Sequence, residues 1–118
     1  MKVIITAAGR GIGFAIAQRF SEDGASVFIG DIDTETIQAA KITNERINGA
    51  ACDFSAHDQV PRFIDHAIGQ LGGVDVLVNN VGIAGSTCLI EDVSYADWDR
   101  TMQVNLGSHF YCAARVIP

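Results

Sequence analysis

The strongest constraint on this chain is a fourfold alternation of short apolar runs with helix-patterned segments. Lys2 to Thr6 is a first β-rich run, and a helical pattern follows from about Gly11 to Asp23, with Ile12, Ala15, Ile16 and Phe20 on one face and Gly24 as its stop. Ala25 to Asp31 (ASVFIGD) is a second run, and DTETIQAA opens a second helix whose end is vague. GAACDF is a short third strand ending near Asp53. Val60, Phe63, Ile64, Ala67, Ile68 and Leu71 then recur at amphipathic spacing, with Asp58 expected as N-cap and Pro61 tolerated in the first turn. VDVLVNN is a fourth strand, and Ser94 with Asp97 predicts a capping-box start for one long helix towards the C-terminus. Strands this apolar need cover on both faces. The pattern therefore predicts an α/β fold, a doubly wound parallel sheet of right-handed βαβ units.

Composition narrows the function classes. The 118 residues form one domain at most, and 48 % hydrophobic with 19 % charged residues is a globular balance. A net charge of −6 with only two lysines argues against nucleic acid or an anionic membrane as partner. Cys52, Cys88 and Cys112 are odd in number and far apart, which fits neither a disulfide framework nor a zinc pattern. His57, His66 and His109 have no second donor at ligand spacing, so no metal is expected. No apolar run approaches the ~18 residues of a membrane span, and no signal-peptide pattern precedes the first strand. A cytoplasmic setting is expected.

Between the first strand and first helix lies AAGRGIG, with glycines at positions 9, 11 and 13. A strand, a glycine turn and a helix N-terminus together suit a diphosphate, because the unpaired N–H groups and the helix dipole favour an anion. Asp31 ends the second strand, where a carboxylate can accept hydrogen bonds from both ribose hydroxyls of an adenosine. Dinucleotides and S-adenosylmethionine both fit this arrangement.

TAAGRGIG followed by NNVG (Asn79 to Gly82) resembles the short-chain dehydrogenase/reductase family, whose patterns are T-G-x-x-x-G-I-G and N-N-A-G. Asp53 after the third strand and Asn105 in MQVNLGSHF agree with it, in order, from Lys2 to Pro118. The methyltransferase-like alternative becomes remote. The resemblance implies a Rossmann-like sheet of order 3-2-1-4 in this part, with hydride transfer between a nicotinamide cofactor and a small carbonyl or alcohol substrate. Gly9, Arg10, Gly11, Ile12 and Gly13 would lie under the pyrophosphate. Asp31 would bind the adenosine ribose, Asp53 and Phe54 would border the adenine, and Asn80, Val81 and Gly82 would lie along the cofactor. Asn105 would belong to the catalytic tetrad. Asp31 favours NAD over NADP by like-charge repulsion of a 2′-phosphate, although Arg10 is of the kind that accompanies NADP in the family.

Two departures stand out: Ala7 replaces the family's first glycine, and Val81 its alanine. Ala7 is harmless at negative φ but costs ~1–2 kcal/mol in the left-handed region, where Gly9 is expected to absorb the distortion. The family's Tyr-x-x-x-Lys motif and its Ser are not found. Tyr111 and Arg115 imitate the spacing, but on the wrong helix and with a cation that tunes a phenol poorly. The chain thus reads as a partial domain, 1–118, of an enzyme that is a homo-oligomer when complete. A free-standing nucleotide-binding fragment without turnover is the alternative. Residues 1–118 alone are expected to be inactive and poorly stable, with the fourth strand a bare edge.

Overall fold

The computed structural model describes residues 1–117; Pro118, the end of the resemblance, lies outside the described residues. Four parallel strands, β1 (Lys2–Thr6), β2 (Ser26–Asp31), β3 (Ile47–Ala51) and β4 (Val76–Val78), form one sheet of order β3-β2-β1-β4, as the alternation and the resemblance imply. β1 sits centrally, with Ile4 paired to Phe28 on one side and to Leu77 on the other.

Strand alternation divides the core into two layers. Val3, Ile5, Val27 and Ile29 face α1 (Gly11–Glu22) and α2 (Thr34–Thr43), where Ala17, Ile37 and Ala40 meet them. Ile4 and Phe28 face the other way, onto Val60, Phe63 and Ile64 of α3 (Gln59–Leu71) and onto the C-terminal helical rod. Phe28 and Phe63 pack with ring centroids 5.7 Å apart. Both faces are covered, which is why these strands carry no polar alternation.

Several local expectations are corrected. β3 starts two residues earlier than GAACDF and stops at Ala51, because Ile47 is drawn into the core beside Val27 while Asp53 turns the chain by accepting the Ser55 N–H. Asp58 has helical dihedrals and makes no side-chain cap. Instead, the Ala56 carbonyl accepts the Gln59 and Val60 N–H groups, and Pro61 sits in the first turn where it has no partner to lose.

The C-terminal rod is not one regular helix. α4 (Tyr95–Met102) passes through a π-turn at Gln103–Gly107 into α5 (Ser108–Val116). Only half of the capping box forms: Ser94 Oγ accepts the Asp97 N–H (3.1 Å), but the Asp97 carboxylate accepts instead from Ser86 Oγ in the preceding loop (2.7 Å). The buried face of the rod is Val104, Ser108 and Cys112, whereas the apolar stripe of Met102, Leu106 and Phe110 is exposed. Trp98 is 59 % exposed and borders a surface crevice with loop 84–93.

Candidate functional site

The four parallel strands deliver their following loops to one edge of the sheet, and the strand order β3-β2-β1-β4 reverses its direction between β1 and β4 at the centre. Ligands of open α/β sheets bind at such a crevice. The expected residues come together at this edge. The glycine loop follows β1, Asp31 ends β2, Asp53 follows β3 by two residues, and Asn80, Val81 and Gly82 follow β4.

Each glycine of the loop has a separate physical cause. A Cβ on Gly9 would meet Thr36 Oγ1 and come within 2.9 Å of Asp31 Oδ2. Gly11 lies at φ +65°, with open space around it. A Cβ on Gly13 would lie 2.6 Å from Asn80 Nδ2 and 2.7 Å from the Ala7 carbonyl. So Gly9 lets the loop approach Asp31, Gly11 turns it, and Gly13 lets α1 begin against the ends of β1 and β4. The first internal bond of α1 runs from the Phe14 N–H to the Arg10 carbonyl (3.4 Å). The amides of Gly11, Ile12 and Gly13 therefore have no intrahelical acceptor, and Ile12 and Arg10 are exposed at the rim.

Ala7 corrects one expectation. It holds φ +53°, and Gly9 is not among the positive-φ residues, so the distortion stays at Ala7 instead of moving to Gly9. The neighbouring bonds show why. The Ala7 carbonyl accepts Asn80 Nδ2 (3.0 Å), and the Ala8 N–H donates to the Gly30 carbonyl (3.0 Å). Both neighbours of the turn are tied down, leaving Ala7 to take up the bend.

Asp31 is fixed before any ligand arrives. Its Oδ2 accepts the Gly9 N–H (3.0 Å) and its Oδ1 the Asp33 N–H (3.1 Å). Asp53 accepts the Ser55 hydroxyl (2.6 Å) and N–H (2.9 Å). Those two bonds, hydroxyl first, hold its carboxyl below the usual range, with a smaller pull from the Arg100 guanidinium. Phe54 is 6 % exposed and packs edge-on against Phe63, with ring centroids 5.3 Å apart. It backs a cleft of about 250 Å³ that Asp31, Asp53, Val81, Gly82 and Val104 also line.

The segment leaving β4 is stitched on both sides. Thr6 Oγ1, fully buried, accepts the Asn80 N–H (3.0 Å). Asn105 clamps Ile83: its Oδ1 accepts the Ile83 N–H (2.7 Å) and its Nδ2 donates to the Ile83 carbonyl (2.8 Å). His109 Nε2 lies 3.0 Å from the Val81 carbonyl and is its donor. Asn105 occupies the π-turn, a helix distortion that occurs often at functional sites. Asn79 Oδ1, by contrast, is buried without a hydrogen-bond partner among the described residues. The roles of Thr6, Thr36 and His109 were not legible in the sequence. Each acts through the backbone of a distant segment, which no local spacing reveals.

The Tyr111–Arg115 imitation dissolves on inspection. Arg115 makes a bidentate pair with Asp65 (2.8 Å each), and Tyr111 stacks on His57 at 5.8 Å. His66 packs edge-on to Phe28. No cluster of three metal-ligating side chains occurs among the described residues.

The arrangement offers free amides at a helix start, a carboxylate oriented by two backbone donors and a cleft backed by Phe54, features that suit an adenine dinucleotide. The orphaned Asn79 oxygen at the end of β4 and the open space at Gly11, beside the free amides at the start of α1, are the local signs of that fit. Comparison with known proteins agrees. The family model described as short chain dehydrogenase matches residues 1–118. The (2S)-[(R)-hydroxy(phenyl)methyl]succinyl-CoA dehydrogenase subunit BbsD of Thauera aromatica is 37 % identical, over 96 % of this chain and 47 % of its own length. Among solved structures, 3-ketoacyl-(acyl-carrier-protein) reductase from Brucella melitensis complexed with NADH superposes with TM-score 0.92 at 31 % identity, over 99 % of this chain and 48 % of that one. A variant of actinorhodin polyketide ketoreductase with NADPH gives TM-score 0.91 at 25 % identity, over 98 % and 46 %. The chain spans about half the length of the curated relatives it matches.

Proposed function

This chain belongs to the short-chain dehydrogenase family, and from that premise we propose that it is the cofactor-binding part of an NAD-linked oxidoreductase acting on a small carbonyl or alcohol. The observation that carries the reading is the bond from the Gly9 N–H to Asp31 Oδ2, which couples the phosphate-side loop to the ribose-side carboxylate. When bound, the nicotinamide supplies or accepts the hydride. Gly9, Arg10, Gly11, Ile12 and Gly13 hold the diphosphate at the start of α1, where the free amides face an anion. Asp31 takes the adenosine ribose, and Asp53 with Phe54 borders the adenine. Asn80, Val81 and Gly82 lie along the cofactor at the end of β4.

Asn105 is the catalytic-tetrad residue of this part. With its side chain committed to Ile83, the contribution left to it is through the backbone of the π-turn, which holds a water for proton relay. The remaining Ser, Tyr and Lys belong to a segment following this one, so residues 1–118 form a partial domain.

NAD rather than NADP follows from Asp31. Both carboxylate oxygens are already oriented by backbone donors, so the group cannot swing away from a 2′-phosphate without breaking two hydrogen bonds. The like-charge encounter then outweighs any attraction from exposed Arg10. A homo-oligomer is supported by the exposed Met102, Leu106 and Phe110 along one face of the rod. No helix among the described residues is long and apolar enough to cross a membrane. A reducing, cytoplasmic setting fits the three free cysteines.

The reaction is tested with the full-length polypeptide, NADH deuterated on the nicotinamide and a panel of ketones and aldehydes. Deuterium in the product alcohol supports hydride transfer; bound NADH with no label transferred to any panel member would leave a nucleotide-binding protein instead.

A further inference from the structure

We infer that Arg100 is an affinity and specificity residue for the adenosine half of the cofactor, its guanidinium covering the adenine from the helix side of the cleft. This rests on the nicotinamide-dinucleotide reading above and assigns a role to a residue outside the loop and acidic positions already discussed.

Three observations carry it. Arg100 lies one helical turn before Val104, and both line the cleft that Asp31, Asp53 and Phe54 line. Val104 is buried at 5 % exposure and forms floor, whereas Arg100 is exposed and forms rim. Second, Arg100 is the one cation among the residues lining that cleft, facing two carboxylates. Third, it is uncommitted. It makes no ion pair or side-chain hydrogen bond among the described residues, in contrast to Arg19 with Asp23 and Arg115 with Asp65. Its charge nevertheless reaches Asp53, whose carboxyl it helps to hold ionised after the two Ser55 bonds.

An unpaired guanidinium at the mouth of an acidic cleft has two chemical uses. It can stack its plane on an aromatic face, or it can offset anionic charge. The ligand surface available at this end of the site is the adenine, because Asp31 takes the ribose and the start of α1, which does not line this cleft, takes the diphosphate. The stacking use therefore fits best. A planar cation suits it better than the point charge of lysine.

The test measures dissociation constants of the full-length polypeptide, wild type and Arg100→Leu, for NADH, NADPH, ADP-ribose and reduced nicotinamide mononucleotide. Arg100→Leu keeps an apolar stem at an exposed position, so the melting temperature is expected to hold. Its affinity for NADH and for ADP-ribose should fall by the same factor, roughly 3- to 30-fold, while the mononucleotide is unaffected. Arg100→Lys should recover only part of the loss. Wild-type affinity of Arg100→Leu for ADP-ribose overturns the inference. So does a loss confined to NADPH, which would put Arg100 on a 2′-phosphate, and so does an equal loss for the mononucleotide. Failure of the wild type to bind either NADH or ADP-ribose is a different result, and it refutes the cofactor reading itself.

Discussion

The amide of Gly9 donates to Asp31 Oδ2 across 3.0 Å, joining the glycine loop after β1 to the last residue of β2. Two features that are 22 residues apart in sequence thus form one unit, and the loop's shape and the carboxylate's aim are no longer independent. The Gly9 cradle has Thr36 of α2 as its other wall, through the contact a Cβ at Gly9 would make.

The three glycines should fail in a graded way. Gly11→Ala meets no neighbour and costs only the left-handed strain, about 1–2 kcal/mol. Gly13→Ala drives a methyl against the Ala7 carbonyl and Ala8 Cα, backbone atoms that cannot rotate aside, and should cost more, up to about 3 kcal/mol. Gly9→Ala displaces Asp31 and should lose cofactor affinity out of proportion to its loss of stability. Denaturant unfolding beside NADH titration of the three variants checks the order.

Ala7 at φ +53° invites the opposite experiment. Ala7→Gly relieves about 1–2 kcal/mol of left-handed strain and gives back about 0.5–1 kcal/mol of chain entropy, a small net gain. Ala7→Val should instead be clearly destabilising, because a β-branched side chain tolerates positive φ least. Urea midpoints decide it; a gain in stability from Val would mean that the turn is not left-handed in solution.

The strands, and the gathering of the expected residues at one sheet edge, were legible because both are written in local sequence. Apolar runs such as VIIT and SVFIG report two-sided burial, and a glycine turn and an acid at the ends of neighbouring parallel strands fall side by side. What was not legible depends on partners far along the chain. The helical rod reads as continuous because only Gly107 between Met102 and Ser108 disfavours a helix, yet the π-turn there places Asn105 against the Ile83 backbone. The stripe through Met102, Leu106 and Phe110 is as apolar as a core face, and its exposure is decided by α5 docking through Ser108 and Cys112 instead. Asp58 has the right chemistry for a cap, but the turn from Ala56 already supplies the acceptor.

That exposed stripe predicts association. Leu106→Glu and Phe110→Glu lie outside the cleft and should leave NADH affinity unchanged while shifting the full-length protein to a smaller species in analytical ultracentrifugation. An unchanged sedimentation profile in the double variant would place the oligomer contact elsewhere.

Burial pushes the Cys52 thiol up to about 12, with Cys112 and Asp53 adding to it, and the Cys112 thiol up to about 11. Both values are raised above the unfolded thiol's ~8.5, so the stability they lend is complete below that pH and is lost as pH rises through the folded values. The folded protein should therefore weaken progressively above about pH 8.5. Iodoacetamide at pH 8 should label exposed Cys88 alone, because the other two thiolates are populated on the order of 10⁻³ or less. Peptide mass spectrometry reads the pattern.

The central claim is that the loop and Asp31, acting together, select an adenine dinucleotide with a free 2′-hydroxyl. Its most direct test is calorimetric titration of the full-length polypeptide with NADH and NADPH, wild type against Asp31→Ser. The wild type should bind NADH at least about tenfold more tightly than NADPH, a difference of about 1.4 kcal/mol. Asp31→Ser should lose NADH affinity and narrow or reverse that preference by removing the repulsion. NADPH binding as tightly as NADH to the wild type, or a preference that Asp31→Ser leaves untouched, would contradict the account.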